Sequence, residues 1–226
     1  MRFVEEQHDL RGMRVLYGLA GTLGEEQLAP DPLTQFRRWL AEAVDSDIAE
    51  PNAMVLGTVS EDGVPTGRTV LLKEVDARGF AFYTNLRSTK GRDLTATHRA
   101  SCVFPWIALH RQVVVIGRAV EVPREEAADY FNSRPIESRW GAWASRQSEV
   151  IDGRAPLEQR YAEIAARFPE DVPLPDFWGG WIVVPDSVEF WQGRESRLHD
   201  RLRYRRVSPH GGLDAKEAWS VERLSS

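Results

Sequence analysis

Between residues 53 and 122 apolar and polar positions alternate with a period of two, the spacing of half-buried strands. The runs "AMVLGTVS", "TGRTVLLKEV" and "FAFYT" are separated by "EDGVP" and "DARG", turn-forming stretches short enough to make hairpins. "ASCVFPWI" and the long "HRQVVVIGRAVEV" continue the meander, and Gly117 is expected at a bulge or corner of a strand too long to stay straight. Helical spacing flanks this region. In "DPLTQFRRWLAEAVDSD" Asp31 is placed to cap, Pro32 to open the helix, and Phe36, Trp39, Leu40, Ala43 and Val44 to share a face. "PREEAADYFNS" predicts a second helix, stopped by Pro135, and "APLEQRYAEIAARF" a third with Leu157, Tyr161, Ile164 and Phe168 on one side. The proline-rich "PEDVPLPDFWGG" reads as a loop, and "WIVVP", "SVEFWQ", "LHDRLRYRR" and "AWSVERL" as further strands. Seven or eight strands with short turns and one helical excursion predict a mainly β fold with flanking helices, a closed antiparallel barrel. Residues 1–23 read as an N-terminal arm, partly mobile, and residues 24–226 as the barrel domain.

Composition narrows the function classes. A net charge of -5 over 226 residues sets the whole surface against polyanions, so nucleic acid is not an expected partner. The one cysteine, Cys102, lies in an apolar run as a small buried thiol and cannot form an internal disulfide. The five histidines show neither metal-ligand spacing nor a cysteine pair nearby, and no metal is expected. No glycine-rich phosphate loop appears, so any phosphate must be held by side chains and ordinary amides. No stretch approaches eighteen consecutive apolar residues, which excludes a membrane helix and points to a cytoplasmic protein.

Four stretches carry candidate chemistry. In "TGRTVLLK" strict alternation puts Arg68, Val70 and Leu72 on one face and Thr69, Leu71 and Lys73 on the other. Arg68 and Lys73 then share a pocket only if a ligand wraps the strand end or a twist or bulge re-aims one of them. "FYTNLRSTKGRDL" supplies Thr84, Ser88, Lys90 and Arg92 at a helix start, the ingredients of a phosphate site or of a solvated loop. "DYFNSRPIESRWGAWASRQS" spaces Tyr130, Arg134 and Ser138 four apart, three donors suited to a phosphate monoester, followed by Gln147 and Ser148. In "RLHDRLRYRR" alternation gathers Arg197, His199, Arg201, Arg203 and Arg205 on one face, and anionic ligands or acidic neighbours must offset that charge.

Taken in order, "RTVLLK", "FYTN…S-x-KG", "FPW…RQV…GR", "YF-x-SRP…S…GAWAS-x-QS", "PLP-x-FWGG" and "VEFWQG-x-x-x-RLHDR-x-x-Y" resemble the pyridoxamine 5′-phosphate oxidase family from about residue 8 to residue 224. The resemblance implies a homodimer of FMN-binding split β-barrels, with FMN between subunits. It implies oxidation of pyridoxine or pyridoxamine 5′-phosphate to pyridoxal 5′-phosphate, with O2 reduced to H2O2. By position, the FMN contacts would be Arg68, Thr69, Val70, Leu71, Leu72, Lys73, Tyr83, Thr84, Lys90, Gln112, Gln147, Ser148, Trp191 and Arg201. Lys73, Tyr130, Arg134 and Ser138 would hold the substrate phosphate, and Arg197, Leu198 and His199 would lie over its ring, Arg197 and His199 as catalytic residues. Arg14 and Tyr17 of the arm would close over the substrate. One departure stands out: Thr89 occupies the position before Lys90 where the family commonly has arginine, with Arg87 two residues earlier. Two other readings stay open at this point, a related flavin oxidase of phenazine-type biosynthesis and a non-catalytic flavin- or pyridoxal phosphate-binding barrel.

Overall fold

The computed structural model describes Leu10 and residues 21–226; Arg14, Tyr17 and most of the arm lie outside the described residues. Helix α1 (Pro32–Asp45) starts where Asp31 Oδ1 accepts a hydrogen bond from the Thr34 amide at 2.8 Å. The meander follows as β1 (Ala53–Val59), β2 (Pro65–Leu71), β3 (Glu74–Val75) and β4 (Phe80–Asn85), then α2 (Thr89–Thr97), β5 (Arg99–Trp106) and β6 (Arg111–Glu121). Three helices come next, α3 (Arg124–Ser133), α4 (Ile136–Ala144) and α5 (Ala155–Arg167), before β7 (Trp178–Gln192), β8 (Asp200–Arg206) and β9 (Trp219–Arg223).

All nine described strands belong to one antiparallel sheet ordered β2-β1-β5-β6-β7-β4-β3, with β8 and β9 continuing from the far half of β7. Among the described residues no ladder joins β2 to β3, so the closed barrel expected from strand count is corrected to a split one. The two-residue β3 is too short to carry a closing ladder. The two predicted strands after the proline-rich loop are one fifteen-residue strand, β7. It survives Pro185 because Ile116 pairs with Ser187 and Gly117 with Pro185, leaving Asp186 as the extra residue of a bulge. Gly117 is required opposite it: a Cβ there would lie 2.1 Å from the Val184 carbonyl oxygen.

The core fills the inside of the curl, and α1 covers it. Phe36 packs edge-on against Phe80 and Phe104, each at 4.9 Å, and Trp39 against Phe190 at 5.2 Å. Cys102 is buried in this core, and burial pushes its thiol up to about 12, in keeping with an inert packing residue. A second cluster around Phe131, Val172 and Trp178 anchors α3 to α5 beside the start of β7. Helix α4, which sequence punctuation by Pro135 and Gly141 concealed, packs on α5 with Trp140 edge-on to Tyr161 at 6.0 Å. No described helix is long and apolar enough to cross a membrane.

Candidate functional site

Strands β2 and β4, the first turn of α2, helices α3 and α4, and the start of β7 surround a cleft of about 860 Å³. Four cations line it, Arg68, Lys73, Lys90 and Arg134, and no carboxylate is among its described lining residues. Arg68 and Lys73 reach it together because β2 ends at Leu71 and β3 begins only at Glu74, so the alternation that would oppose them is broken. Leu72, in the break, turns into the core with 5% exposure while Thr69, Val70 and Leu71 line the cleft.

The first cation pair is Arg68 and Lys90. Arg68 Nη1 donates to Thr58 Oγ1 at 2.7 Å and Nη2 to Thr66 Oγ1 at 2.5 Å, which fixes the guanidinium against β1. Burial lowers the Arg68 pKa, and the charge of Asp93 opposes that shift. Lys90 Nζ donates to Gln147 Oε1 at 2.5 Å and to Ser88 Oγ at 3.2 Å; burial first, and then the Arg68 charge, lower its pKa to about 8. Thr84 Oγ1 donates to the same Gln147 oxygen at 3.3 Å. Ser148, held at φ +74°, accepts the Thr89 amide at 3.2 Å, so the start of α2 and the 147–148 turn are tied together. At the departure position, Thr89 Oγ1 accepts from Arg92, while the Arg87 guanidinium lies 5.4 Å over the Phe177 ring and does not line the cleft.

The second pair, Lys73 and Arg134, brackets an aromatic stack. Tyr83 stacks on Tyr130 at 4.1 Å and on Trp178 at 5.7 Å, seated on Gly180, where a Cβ would come within 2.7 Å of the Tyr83 ring. Lys73 Nζ lies 6.0 Å from the Tyr130 ring, and the Arg134 guanidinium 5.0 Å from the Trp178 ring. Arg134 lines the cleft, and its Nη1 is a buried donor without a hydrogen-bond partner. Ser138 lines the same space from α4.

The remaining predicted residues gather elsewhere. Gln112, Trp191 and Arg201 form one row across β6, β7 and β8, and the His199 ring lies 4.6 Å from Trp191. The alternation predicted through Arg197 and His199 does not hold, because β8 starts only at Asp200 and Ser196 and Arg197 adopt φ of +54° and +62°. Arg197 and Leu198 stand exposed on this turn, and His199 Nδ1 accepts the Arg194 amide at 3.0 Å. Acidic neighbours offset the arginine face: Glu189 takes Arg201 in a fork at 2.8 and 3.2 Å, and Glu222 takes both Arg203 and Arg205. This row lies thirteen residues along β7 from Trp178, roughly 40 Å of extended chain at 3.2–3.4 Å per residue.

Three contributors escaped the sequence reading. Trp178 closes the aromatic stack, and its signal was the tryptophan before the glycine pair in "FWGG". Arg139, next to Ser138, has a buried Nε without a partner; burial lowers the Arg134 pKa, and the Arg139 charge adds to that shift. Asp93, 6% exposed, accepts from Thr58 Oγ1 at 2.6 Å behind Arg68; a lone acid beside the apolar Leu94 of α2 was its only trace.

Residues 40–168 match the family described as pyridoxamine 5′-phosphate oxidase, and residues 178–226 the pyridoxine 5′-phosphate oxidase C-terminal dimerisation region. A pyridoxine/pyridoxamine 5′-phosphate oxidase of Acidothermus cellulolyticus is 54% identical over 209 residues, 91% of each chain. One of Burkholderia multivorans is 51% identical over 218 residues, 96% of this chain and 98% of the relative. Among solved structures, PhzG from Burkholderia lata 383, in complex with tetrahydrophenazine-1-carboxylic acid, superposes with a TM-score of 0.83 at 30% identity, covering 92% of this chain and all of that one. With half of its residues shared along nearly its whole length, the chain belongs to the pyridoxamine 5′-phosphate oxidase family.

Proposed function

We propose that the protein is an FMN-dependent oxidase that converts pyridoxine and pyridoxamine 5′-phosphates to pyridoxal 5′-phosphate, reducing O2 to H2O2. One observation carries the reading: in a chain of net charge -5, the described residues that line a single cleft include four cations and no carboxylate. The cations fall into two pairs, as two phosphorylated ligands require. Strong support comes from the curated relatives of about half identity that bear this activity in their names.

The residues present fit FMN. Arg68 and Lys90, whose charges repel each other, suit its phosphate, and the Ser148 hydroxyl, which accepts the Thr89 amide, keeps its own proton as a further donor. Thr69, Val70 and Leu71 offer backbone, and Tyr83, Thr84 and Gln147 side chains, to the rest of the group. When bound, FMN supplies a two-electron acceptor for the hydride at C4′ of the substrate. The chain does the positioning. Lys73, Tyr130, Arg134 and Ser138 hold the substrate phosphate, and the unpartnered Arg134 Nη1 gains its acceptor there.

Arg197, Leu198, His199, Gln112, Trp191 and Arg201 belong to the far end of β7, so in this reading a second copy of the chain brings them to the cleft. The matched dimerisation region covers β7, β8 and β9 and supports a homodimer. Arg197 then adds a permanent cation over the substrate ring. With Nδ1 accepting the Arg194 amide, the neutral His199 ring carries its proton on Nε2 and donates from there. A cytoplasmic setting completes the proposal, on the grounds of a single cysteine and no long apolar run.

Anaerobic addition of pyridoxine 5′-phosphate to the flavin-loaded protein should bleach the flavin, and pyridoxine without its phosphate should not at the same concentration. Bleaching by neither, or equally by both, would overturn the reading. Preferential oxidation of a reduced phenazine carboxylate would instead align the chain with the activity suggested by its PhzG neighbour.

A further inference from the structure

Arg68 is held by hydroxyls, and the hydroxyls are held by a buried acid. Thr58 Oγ1 has one proton and donates it to Asp93 Oδ2 at 2.6 Å, which leaves only lone pairs for Arg68 Nη1 at 2.7 Å. Thr66 Oγ1 lies 3.3 Å from the same carboxylate oxygen and 3.1 Å from Thr58 Oγ1, and accepts from Arg68 Nη2 at 2.5 Å. No direct ion pair joins Asp93 to Arg68 among the described residues. The link runs through two threonines whose donor and acceptor sense Asp93 dictates. Asp93 is 6% exposed, Thr58 4%, and neither lines the cleft, so neither touches a ligand there.

We propose that Asp93 is a positioning residue for phosphate recognition: through Thr58 and Thr66 it locks the Arg68 guanidinium in the orientation that meets the phosphate of FMN. The inference rests on the FMN reading above. It also runs against simple electrostatics, because a carboxylate behind a phosphate site repels the phosphate. By charge alone, removing Asp93 tightens FMN binding. By the relay, removing it frees both hydroxyls to turn a proton toward Arg68, and the guanidinium loses its seat.

The same logic separates two replacements. Asp93→Ala removes both the acceptor and the charge. Asp93→Asn removes the charge but keeps a side-chain oxygen able to accept from Thr58. Thr58→Val breaks the relay while leaving Asp93 in place, and Thr58→Ser keeps the hydroxyl.

The test is the dissociation constant of FMN and of riboflavin, measured by quenching of flavin fluorescence on the flavin-free protein and each variant. Asp93→Ala and Thr58→Val should weaken FMN about tenfold to a hundredfold while leaving riboflavin within about twofold, collapsing the preference for the phosphate. Asp93→Asn and Thr58→Ser should retain most of it. In an Arg68→Met background, Asp93→Ala should cause no further loss. Unchanged or tighter FMN binding by Asp93→Ala overturns the proposal, as does an equal loss of FMN and riboflavin, which marks a merely structural role. Should Asp93→Ala fail to fold, Thr58→Val decides by the same two ratios. A wild-type protein that does not prefer FMN to riboflavin strikes the cofactor reading itself; a wild-type preference that survives in both variants strikes only the relay.

Discussion

Lys90 holds its ammonium beside the Arg68 guanidinium, and burial together with that neighbouring charge brings its pKa down to about 8. A lysine lowered in this way is strained while protonated. In the flavin-free protein, stability therefore rises with pH from about 8 toward the ordinary lysine value of 10.5, where the unfolded chain binds the extra proton. A bound phosphate reverses the balance by favouring the ammonium. FMN affinity should be highest below about pH 8 and fall by up to about tenfold per unit above it, as binding becomes coupled to proton uptake. Lys90→Met should raise the Tm of the flavin-free protein, weaken FMN and flatten this pH dependence. Flavin titrations across that range, with thermal melts of both proteins, check all three.

The Arg134 donor left without a partner in the second cation pair makes a separate prediction. Arg134→Met should lower kcat/KM for pyridoxine 5′-phosphate by a factor of about ten to a thousand, or about 1.4 to 4 kcal/mol for one lost charged contact, with FMN affinity unchanged. Steady-state kinetics beside flavin titration measures both.

Arg197 and His199 should separate by the kind of loss they cause. Arg197→Met removes a permanent charge and should cost about tenfold to a thousandfold in kcat/KM without releasing flavin. His199→Asn should cost less, since it keeps a side-chain donor and acceptor at this position. The flavin spectrum without substrate should be the same in both. Loss of flavin on Arg197→Met would assign this turn to the cofactor.

The separation of the two residue groups along β7 predicts that assembly and cofactor retention go together. Serial dilution should release FMN over the same concentration range in which light scattering reports dissociation of the dimer. A monomer that retains flavin tightly would contradict a shared site.

The sequence pattern made the meander, the capped α1 and the Gly117 corner legible because each rests on a local rule: period two, an Asp-Pro start, a glycine inside a long strand. It failed where tertiary contacts override local signals. Pro185 marked a strand boundary that the bulge at Asp186 absorbs, and Pro135 hid α4. Lys73 could be brought beside Arg68 only by knowing that the strand breaks at Leu72, which core burial decides. The arginine face of β8 was visible as a charge excess, but its answer, Glu189 and Glu222, lies on other strands. Alternation proposed no role for Asp93, since its partners Thr58 and Thr66 are brought together only by the pairing of β1 with β2.

Strand β7 carries the cleft's Trp178 at one end and Trp191 at the other, so one continuous piece of backbone serves two catalytic centres in the proposed dimer. The genetic consequence is complementation. An Arg134→Met subunit and an Arg197→Met subunit, each impaired as a homodimer, would pair to give one centre bearing both lesions and one bearing neither. Random reassortment of equal amounts makes half of the dimers mixed, so activity should rise to about a quarter of the wild-type level on mixing two impaired proteins.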